Sequence, residues 1–344
     1  YTGGTTGVSK GAVLTHKNIV SNVQQANLWI SNPTTPGEET IITPLPLYHI
    51  FSLTANCLTF GALGAKNVLI PNPRDMDGFI KELNKHKFTA ITGVNTLFIG
   101  LLNNKGFKDV DFSHLKLTLG GGMAVNGAVA KEWKEVTGAP LIEAYGLTET
   151  SPAACINPMD LSDYNGKIGL PISSTEVIIV DDDNKILPVG EAGEIAIKGP
   201  QVMQGYWNLP EETENVMMEG GFFKTGDIGF MDDKGYFQIV DRKKDMILVS
   251  GFNVYPNEVE DVVMAHPDVL ECAAIGVPDD CSGEKVKIFV VKRNDSLTAE
   301  ILKSYCKENM TGYKVPKLYE FRDDLPKTNV GKILRKALRD EEKK

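Results

Sequence analysis

The sequence has few cysteines and none of the spacings that bind zinc. Its five cysteines are odd in number and include no pair separated by two residues. Neither a zinc site nor a disulfide framework is indicated. This cysteine usage is typical of a reducing, cytoplasmic setting. The five are Cys57, Cys155, Cys272, Cys281 and Cys306.

The chain also lacks an excess of positive charge. It carries 36 Lys and Arg against 45 Asp and Glu, for a net charge of −9, and no basic stripe runs through it. Because nucleic acids attract proteins mainly through their phosphates, we expect no nucleic-acid partner.

No hydrophobic run has the length of a bilayer span. The most apolar stretch, residues 50–65, is interrupted by Ser52, Thr54, Asn56 and Thr59, and it falls short of the roughly 20 residues that a span requires. This stretch is predicted to be buried in the protein. No initiator methionine or signal peptide precedes Tyr1, which already lies in a motif, so we expect the chain to be part of a longer one.

The hydrophobic patterning predicts a mixed α/β protein. Of the 344 residues, 42% are hydrophobic and 24% charged, which is ordinary globular composition. Helical patterns alternate with short apolar runs up to residue 143, which favours an α/β domain with a substantially parallel sheet. Turn residues between apolar runs from residue 175 predict a β-rich subdomain, and residues 256–309 predict a small α+β unit. We place the boundary between domains at residues 242–244.

The chain opens on a glycine- and hydroxyl-rich run at residues 1–11. Glycines let the backbone approach a polyphosphate, and hydroxyls and Lys10 offer donors and charge. The run is not a Walker A motif, because Ser9 precedes Lys10 and Gly11 follows it. A plain loop is the alternative reading.

Two further runs follow predicted strands. These are Gly120 to Gly122 and Tyr145 to Thr150. Both are expected at the carboxyl edge of a parallel sheet, where ligands bind in open α/β folds. A glycine backbone and a tyrosine ring could enclose a flat base, while Thr148 and Glu149 could serve a phosphate and its Mg²⁺. Two turns and a surface carboxylate are the alternative.

The second half of the chain adds three charged candidates. Asp227, which is expected to end a loop after Thr225 and Gly226, could accept the hydroxyls of a ribose. Arg242 could donate as a fork to ribose or phosphate, or belong to a solvated face. Lys332 lies in the run Pro326–Arg335 near the C-terminus.

Taken in order, these motifs resemble the core motifs of the adenylate-forming superfamily of acyl-CoA synthetases, peptide-synthetase adenylation domains and luciferases. Residues 44–51, 91–98 and 246–258 closely resemble bacterial long-chain fatty acyl-CoA synthetases. The resemblance spans essentially all 344 residues. Such enzymes carry more chain before the phosphate loop, so the N-terminus is expected to be truncated.

The resemblance implies a fold and a reaction. Residues 1–241 would be a fragment of the large domain, with its parallel-rich sheet and β-rich subdomain. Residues 242–344 would be a small mobile α+β domain with a hinge near Lys244. The reaction would join a fatty acid to AMP with release of pyrophosphate, and the thiol of coenzyme A would then displace AMP. ATP, Mg²⁺ and coenzyme A would be the cofactors and co-substrates.

The resemblance also implies roles for individual residues. Catalytic residues would be Lys332, Thr148, Glu149 and His49, with Glu149 also the Mg²⁺ ligand and His49 equally open to a packing role. Gly251 would let the pantetheine arm of coenzyme A pass, or serve as an ordinary turn glycine. The residues implied in binding nucleotide and coenzyme A are Thr2, Gly3, Gly4, Thr5, Thr6, Gly7, Ser9, Lys10, Gly120, Gly121, Gly122, Tyr145, Gly146, Asp227, Arg242 and Gly251.

Two other functions stay open from the sequence. One is a fatty acyl-AMP ligase or another carboxylate-adenylating enzyme, which shares every nucleotide motif. The other is a non-catalytic nucleotide-binding fragment. A peripheral contact with the inner membrane face and a homodimer are also left open, and the sequence does not determine the preferred acyl chain length.

Overall fold

The computed structural model describes residues 1–2 and 9–343. The chain divides into two units. The first comprises residues 1–225 and 229–239, and the second comprises residues 226–228 and 240–344. The predicted nucleotide-binding residues Gly3, Gly4, Thr5, Thr6 and Gly7 lie outside the described residues.

The first unit is built on a largely parallel sheet. In its described part, seven strands lie in the order β2-β1-β3-β4-β5-β6-β7. Neighbouring strands from β1 to β5 pair in parallel, whereas β6 and β7 pair antiparallel at one edge. The predicted parallel-rich sheet is confirmed. The strands are β1 (Thr40–Thr43), β2 (Lys66–Leu69), β3 (Ala90–Gly93), β4 (Leu117–Gly121), β5 (Leu141–Gly146), β6 (Ala153–Ile156) and β7 (Leu170–Pro171).

Helices connect these strands, and several have capping residues at their ends. Thr15 forms a capping box with Asn18 at the start of α1, and Asn126 accepts the Ala128 N–H at the start of α5. Gly138 ends α5 with a φ of 76°. The helices are α1 (His16–Trp29), α2 (Phe60–Ala62), α3 (Met76–Leu83), α4 (Asn95–Leu102) and α5 (Gly127–Thr137), with 3₁₀ turns at Lys105–Asp109 and Thr148–Thr150.

The buried face of α1 is polar, although its pattern predicts an ordinary amphipathic helix. Asn18, Asn22 and Gln25 are all buried. Their side-chain amides donate to backbone carbonyls, those of residues 200 and 202 for Asn18, residue 153 for Asn22 and residue 173 for Gln25. The helix is therefore attached by side-chain hydrogen bonds to the start of β6 and to residues 173, 200 and 202.

The apolar stretch at residues 50–65 contains a π-helix at Ser52–Thr59 that the sequence did not predict. Asn56 is fully buried there and donates to the hydroxyls of Thr43 and Thr92, each at 2.9 Å. The polar residues that interrupt this stretch thus include a buried hydrogen-bonding group. None of the helices in the described ranges combines the length and apolarity of a bilayer span.

A second, antiparallel-rich sheet follows. Four strands of the described residues lie in the order β11-β10-β9-β8, and a short helix, α6 (Pro210–Val216), precedes β10. The predicted β-rich subdomain is confirmed. The expectation that Thr225 to Asp227 end a loop is wrong, because these residues lie inside β10. The strands are β8 (Glu176–Val180), β9 (Gly193–Lys198), β10 (Phe223–Met231) and β11 (Phe237–Arg242).

The second unit has the predicted α+β character. Its sheet follows the order β13-β12-β15-β14, with β16 parallel to β15. The long antiparallel pair of β14 and β15 contributes to both apolar clusters of the unit. The elements are β12 (Ile247–Val249), β13 (Phe252–Val254), α7 (Pro256–Met264), β14 (Val269–Asp279), β15 (Gly283–Lys292), α8 (Ala299–Asn309), β16 (Leu318–Arg322) and α9 (Arg335–Glu342).

Candidate active site

The carboxyl ends of β4 and β5 lie side by side in the first unit. Gly120 and Gly121 end β4, and they pair in register with Glu143 and Ala144 of β5. Tyr145 and Gly146 end β5. The structure therefore brings the two predicted base-binding runs to one sheet edge, as parallel strands require.

Close packing accounts for glycine at two of these positions. A Cβ on Gly120 would lie 2.6 Å from the Leu141 side chain and 2.8 Å from that of Val125. A Cβ on Gly146 would lie 2.0 Å from the carbonyl oxygen of Pro152. The packing of the fold alone therefore requires glycine at both positions. If these glycines also bind a base, that role comes in addition to the structural one.

Thr148 and Glu149 lie in the 3₁₀ turn directly after β5. The Glu149 side chain is buried, with the residue 6% exposed. Its Oε1 accepts a hydrogen bond from the Tyr206 hydroxyl at 2.8 Å, and its backbone carbonyl accepts the Met203 N–H at 2.8 Å. The alternative interpretation, in which Glu149 is a surface carboxylate, is therefore wrong.

Tyr206 is a site residue that the sequence analysis missed. Burial, and then the charge of Glu149, raise the pKa of Tyr206 well above its ordinary value. Its hydroxyl therefore stays protonated and donates to Glu149 at neutral pH. The sequence shows only an aromatic residue after Gly205. No local pattern connects that residue with a carboxylate 57 positions earlier.

The described ends of the predicted phosphate loop pair with each other. The Thr2 N–H donates to the Lys10 carbonyl at 2.8 Å, and the Lys10 N–H donates to the Thr2 carbonyl at 3.2 Å. The Lys10 ammonium forms an ion pair with Glu212 and lies 4.9 Å from the centre of the Tyr206 ring. Tyr206 thus contacts both Lys10 and Glu149, and Ser9 lies exposed between the paired ends.

His49 lies in the turn that leads into the π-helix. Its N–H donates to the Pro46 carbonyl at 3.0 Å, and its Nδ1 accepts the Phe51 N–H at 3.3 Å. These contacts organise the start of the helical segment. They fit a structural role, and the catalytic role stays a prediction.

In the second unit, Asp227 and Arg242 are adjacent. The Arg242 Nε lies 3.4 Å from the Asp227 Oδ1. Asp227 is 5% exposed, whereas the Arg242 side chain is 40% exposed. The predicted ribose-binding pair is therefore brought together, with the carboxylate buried and the guanidinium partly open to solvent.

Lys332 belongs to the same charged group. It occupies a turn in which the Thr328 N–H donates to its carbonyl at 2.7 Å and its own N–H donates to the Thr328 hydroxyl at 3.1 Å. Burial, and then the charge of Arg242, lower the pKa of Lys332 to about 8 against the opposing effect of Asp227. Lys332 thus lies within electrostatic range of the two predicted ribose-binding residues of the same unit.

The segment around Lys244 is tied down by a buried charge network that the sequence analysis missed. Arg335 donates to Glu260, at 2.9 and 2.6 Å, and lies 3.5 Å from Asp241. Arg339 donates to Asp245 at 2.8 Å. The C-terminal helix α9 is therefore anchored to the residues on both sides of residues 242–244.

Gly251 lies in a two-residue turn between β12 and β13. Ser250 has a φ of 51° and Gly251 a φ of 83°, as a tight hairpin requires. A Cβ on Gly251 would meet nothing within 4 Å, although its backbone conformation would be strained. Turn geometry is sufficient to explain this glycine, and its contact with coenzyme A stays a prediction.

A Mg²⁺ site fits the donor set at Glu149. Within residues 1–2 and 9–343, no group of three or more His, Cys, Asp or Glu side chains is arranged to hold a metal ion. Mg²⁺ in nucleotide sites is commonly held by one or two carboxylates together with substrate phosphates and water. Glu149 offers one buried carboxylate, whose Oε1 is engaged by Tyr206.

Family models match a segment of each unit of the chain. The family described as "AMP-binding enzyme" matches residues 1–207, and "AMP-binding enzyme C-terminal domain" matches residues 258–332. The chain belongs to the AMP-binding enzyme family. In this family member, the two matches cover the Glu149 and Lys332 sites respectively.

Its relatives include long-chain-fatty-acid–CoA ligases. One from Escherichia coli O6:H1 is 60% identical over 341 residues, which cover 99% of this chain and 61% of that protein. One from Yersinia pestis is 58% identical over 344 residues, with 100% and 61% covered. The chain thus spans about 61% of the length of these relatives.

A solved structure of ATP-bound MatB from Rhodopseudomonas palustris is also similar. It is 33% identical, with a TM-score of 0.91, and the match covers 99% of this chain and 67% of that one. The expected adenylate-forming fold is therefore confirmed.

Proposed function

We propose that the protein is a long-chain fatty acid CoA ligase. It joins a fatty acid to the α-phosphate of ATP with release of pyrophosphate, and it then transfers the acyl group to coenzyme A with release of AMP. The observation that carries the proposal is the 60% identity over 341 residues with a ligase of that name. The charged groups at Glu149 and Lys332 support it.

The first half-reaction needs fixed positive charge, because a carboxylate and a triphosphate repel one another. Lys332 supplies an ammonium for the carboxylate and the reacting phosphate. Asp227 accepts from the ribose, and Arg242 donates to it. Glu149 and the substrate phosphates would hold Mg²⁺, which would neutralise phosphate charge.

The remaining predicted residues complete the nucleotide site. Thr148 donates to the α-phosphate, and Gly120 to Gly122 enclose the adenine with Tyr145 and Gly146. The residues from Thr2 to Lys10 hold the outer phosphates. In the structure the Lys10 ammonium is already paired with Glu212, so phosphate binding by Lys10 requires exchange of that partner.

The second half-reaction uses the small domain, residues 242–344, which turns about a hinge near Lys244. The division of the chain supports this position, because the boundary between its two units falls at residues 239 and 240. A turn follows at the end of β11, where the Asp245 N–H donates to the Arg242 carbonyl at 2.9 Å. His49 and Gly251 serve the acyl carboxylate and the pantetheine arm.

The protein is proposed to act in the cytoplasm, where its substrates are fatty acid, ATP and coenzyme A. Fatty acids partition into bilayers, so a loose contact with the inner membrane face would shorten the route of the substrate. Flotation with anionic vesicles tests that contact, and sedimentation velocity tests the homodimer.

The deciding experiment uses the protein at its natural full length. It is incubated with ATP, Mg²⁺, coenzyme A and short, medium, long-chain and aromatic acids, and acyl-CoA, acyl-AMP and AMP are followed by mass spectrometry. Long-chain acyl-CoA with AMP is expected. Acyl-AMP without thioester would identify an acyl-AMP ligase, and bound ATP without pyrophosphate release would identify a non-catalytic nucleotide-binding protein.

A pair of lysine variants assigns the catalytic residue. Lys332→Ala should lower adenylate formation by two or more orders of magnitude, each worth about 1.4 kcal/mol, with little effect on ATP affinity. Lys317→Ala removes an exposed lysine of the same unit and should leave both unchanged. Equal losses in the two variants would contradict the role of Lys332.

A further inference from the structure

As the proposed Mg²⁺ ligand, Glu149 has to present its carboxylate to the metal ion in a defined orientation. Another residue must therefore hold the Glu149 side chain. The Tyr206 hydroxyl lies 2.8 Å from Oε1 of this carboxylate. A hydrogen bond from a neutral donor to a buried carboxylate fixes the rotation of the carboxylate and keeps the other oxygen in a constant direction. Tyr206 therefore controls where Oε2 of Glu149 points.

Tyr206 itself is held by several contacts. Its N–H donates to the Thr213 hydroxyl at 2.8 Å, and this hydroxyl donates to the Leu209 carbonyl at 2.9 Å. Both contacts tie Tyr206 to the start of α6. On its other side, Tyr206 pairs with Ala12 in an antiparallel bridge. The backbone of Tyr206 is thus held on two sides, which fixes the point from which its ring extends.

The same bridge continues to the end of the predicted phosphate loop. The Trp207 N–H donates to the Gly11 carbonyl at 2.7 Å, and the Val13 N–H donates to the Gly205 carbonyl at 2.9 Å. The Lys10 ammonium lies 4.9 Å from the centre of the Tyr206 ring. One aromatic residue therefore contacts the predicted metal ligand through its hydroxyl and the phosphate-loop lysine through its ring.

We propose that Tyr206 is a positioning residue for the metal–nucleotide site, which holds Glu149 by one carboxylate oxygen and sets its orientation relative to Lys10. This inference rests on the proposed function, because it takes Glu149 as the Mg²⁺ ligand. Tyr206 does not touch the reacting atoms. Its effect is transmitted through Glu149, so loss of its hydroxyl weakens the binding of the divalent cation.

The test variant is Tyr206→Phe, which keeps the ring beside Lys10 and removes only the hydroxyl. The matched control is Tyr164→Phe. The Tyr164 hydroxyl also lies beside a buried carboxylate, 3.1 Å from Oε2 of Glu143, although its nearer acceptor is the Val125 carbonyl at 2.5 Å. Both variants lose a tyrosine hydroxyl beside a buried carboxylate of the first unit, but only the first loses it at Glu149.

The primary readout is metal binding without turnover. Mn²⁺ is titrated into the full-length protein with α,β-methylene-ATP present, and free Mn²⁺ is measured by electron paramagnetic resonance. Tyr206→Phe should weaken Mn²⁺ binding by about 10- to 100-fold, and Tyr164→Phe should leave it unchanged. Unchanged binding in Tyr206→Phe, or equal weakening in both variants, would overturn the proposal.

A double-mutant cycle tests whether Tyr206 acts through Glu149. Once Glu149→Gln has removed the ligand charge, adding Tyr206→Phe should weaken Mn²⁺ binding by less than about twofold. Independent, multiplying effects would show that Tyr206 acts by another route. Far-UV circular dichroism of each variant checks that the fold is kept.

Kinetics separate this inference from the proposed function. In Tyr206→Phe, the Mg²⁺ concentration for half-maximal ATP–pyrophosphate exchange should rise by about tenfold or more, with the maximal rate largely recovered at high Mg²⁺. If the wild-type protein shows no exchange, the proposed function fails. If the wild-type exchanges and Tyr206→Phe has the same Mg²⁺ requirement, only the role of Tyr206 fails.

Discussion

The charge network around Arg335 should control the stability of the second unit. Arg335 is the cation shared by Asp241, which is fully buried, and by Glu260, whose side chain is 17% exposed. Asp245 lies 3.6 Å away. Arg335→Ala removes this cation from beside the buried carboxylate of Asp241 and from Glu260, while Asp245 keeps Arg339. Breaking a buried ion pair from one side costs about 3–5 kcal/mol, and we expect a loss of that size at pH 7.

The positions of the tryptophans allow a loss of stability to be assigned to one of the two units. All three tryptophans, Trp29, Trp133 and Trp207, lie in the first unit, so their fluorescence reports on that unit. Hydrogen exchange of peptides from α7, α9 and β14 reports on the second unit. At about 1.4 kcal/mol for each factor of ten, exchange there should accelerate by between about a hundredfold and several thousandfold.

Two further variants calibrate the result. Arg335→Lys keeps the charge but not the planar fork of donors, so its effect should be smaller. Lys314→Ala removes a surface lysine that donates to Glu258 at 2.9 Å, and it should cost about 1 kcal/mol or less. Less than tenfold acceleration in Arg335→Ala, or an equal shift of the tryptophan transition, would refute the reasoning.

Three other predictions follow from the same unit. Because the pKa of Lys332 is lowered to about 8, kcat/KM for adenylation should fall as pH rises through about 8, and Lys332→Arg should move this fall to higher pH; an unmoved fall in Lys332→Arg would assign it to another group. Burial raises the pKa of Asp241 from 3.8 to about 6, so its protonated form stabilises the unit at low pH and roughly 3 kcal/mol is lost as pH rises through 6. Asp241→Asn should remove this slope from hydrogen-exchange measurements between pH 4 and 7, and an unchanged slope would contradict the assignment. Gly251→Leu should block thioester formation while adenylation survives, with Gly251→Asn, which tolerates a positive φ, as the control that keeps the turn; equal loss of both half-reactions in Gly251→Leu would exclude a specific role with coenzyme A.

Local patterns predicted most of the regular structure. The helical patterns and apolar strands up to residue 143 and the turn-rich region from residue 175 are each signalled by neighbouring residues. The π-helix at Ser52–Thr59 was missed because its geometry depends on buried partners. Asn56 bonds Thr43 and Thr92 from other elements, and no local spacing signals those bonds.

The sequence by itself determined the family, the order of its motifs and the residue types available at the site. In the ordered motifs, glycines, hydroxyls, one carboxylate and one lysine together indicate binding of a nucleotide, because these residue types have few other uses in such a pattern. Only the tertiary structure decided which other side chains contact and support the residues of the site. Tyr206 meets Glu149 across 57 positions, and Arg335 meets Asp241 across 94. Such contacts depend on where the strands and helices pack, and burial then sets the pKa of each group through desolvation, which no local pattern contains.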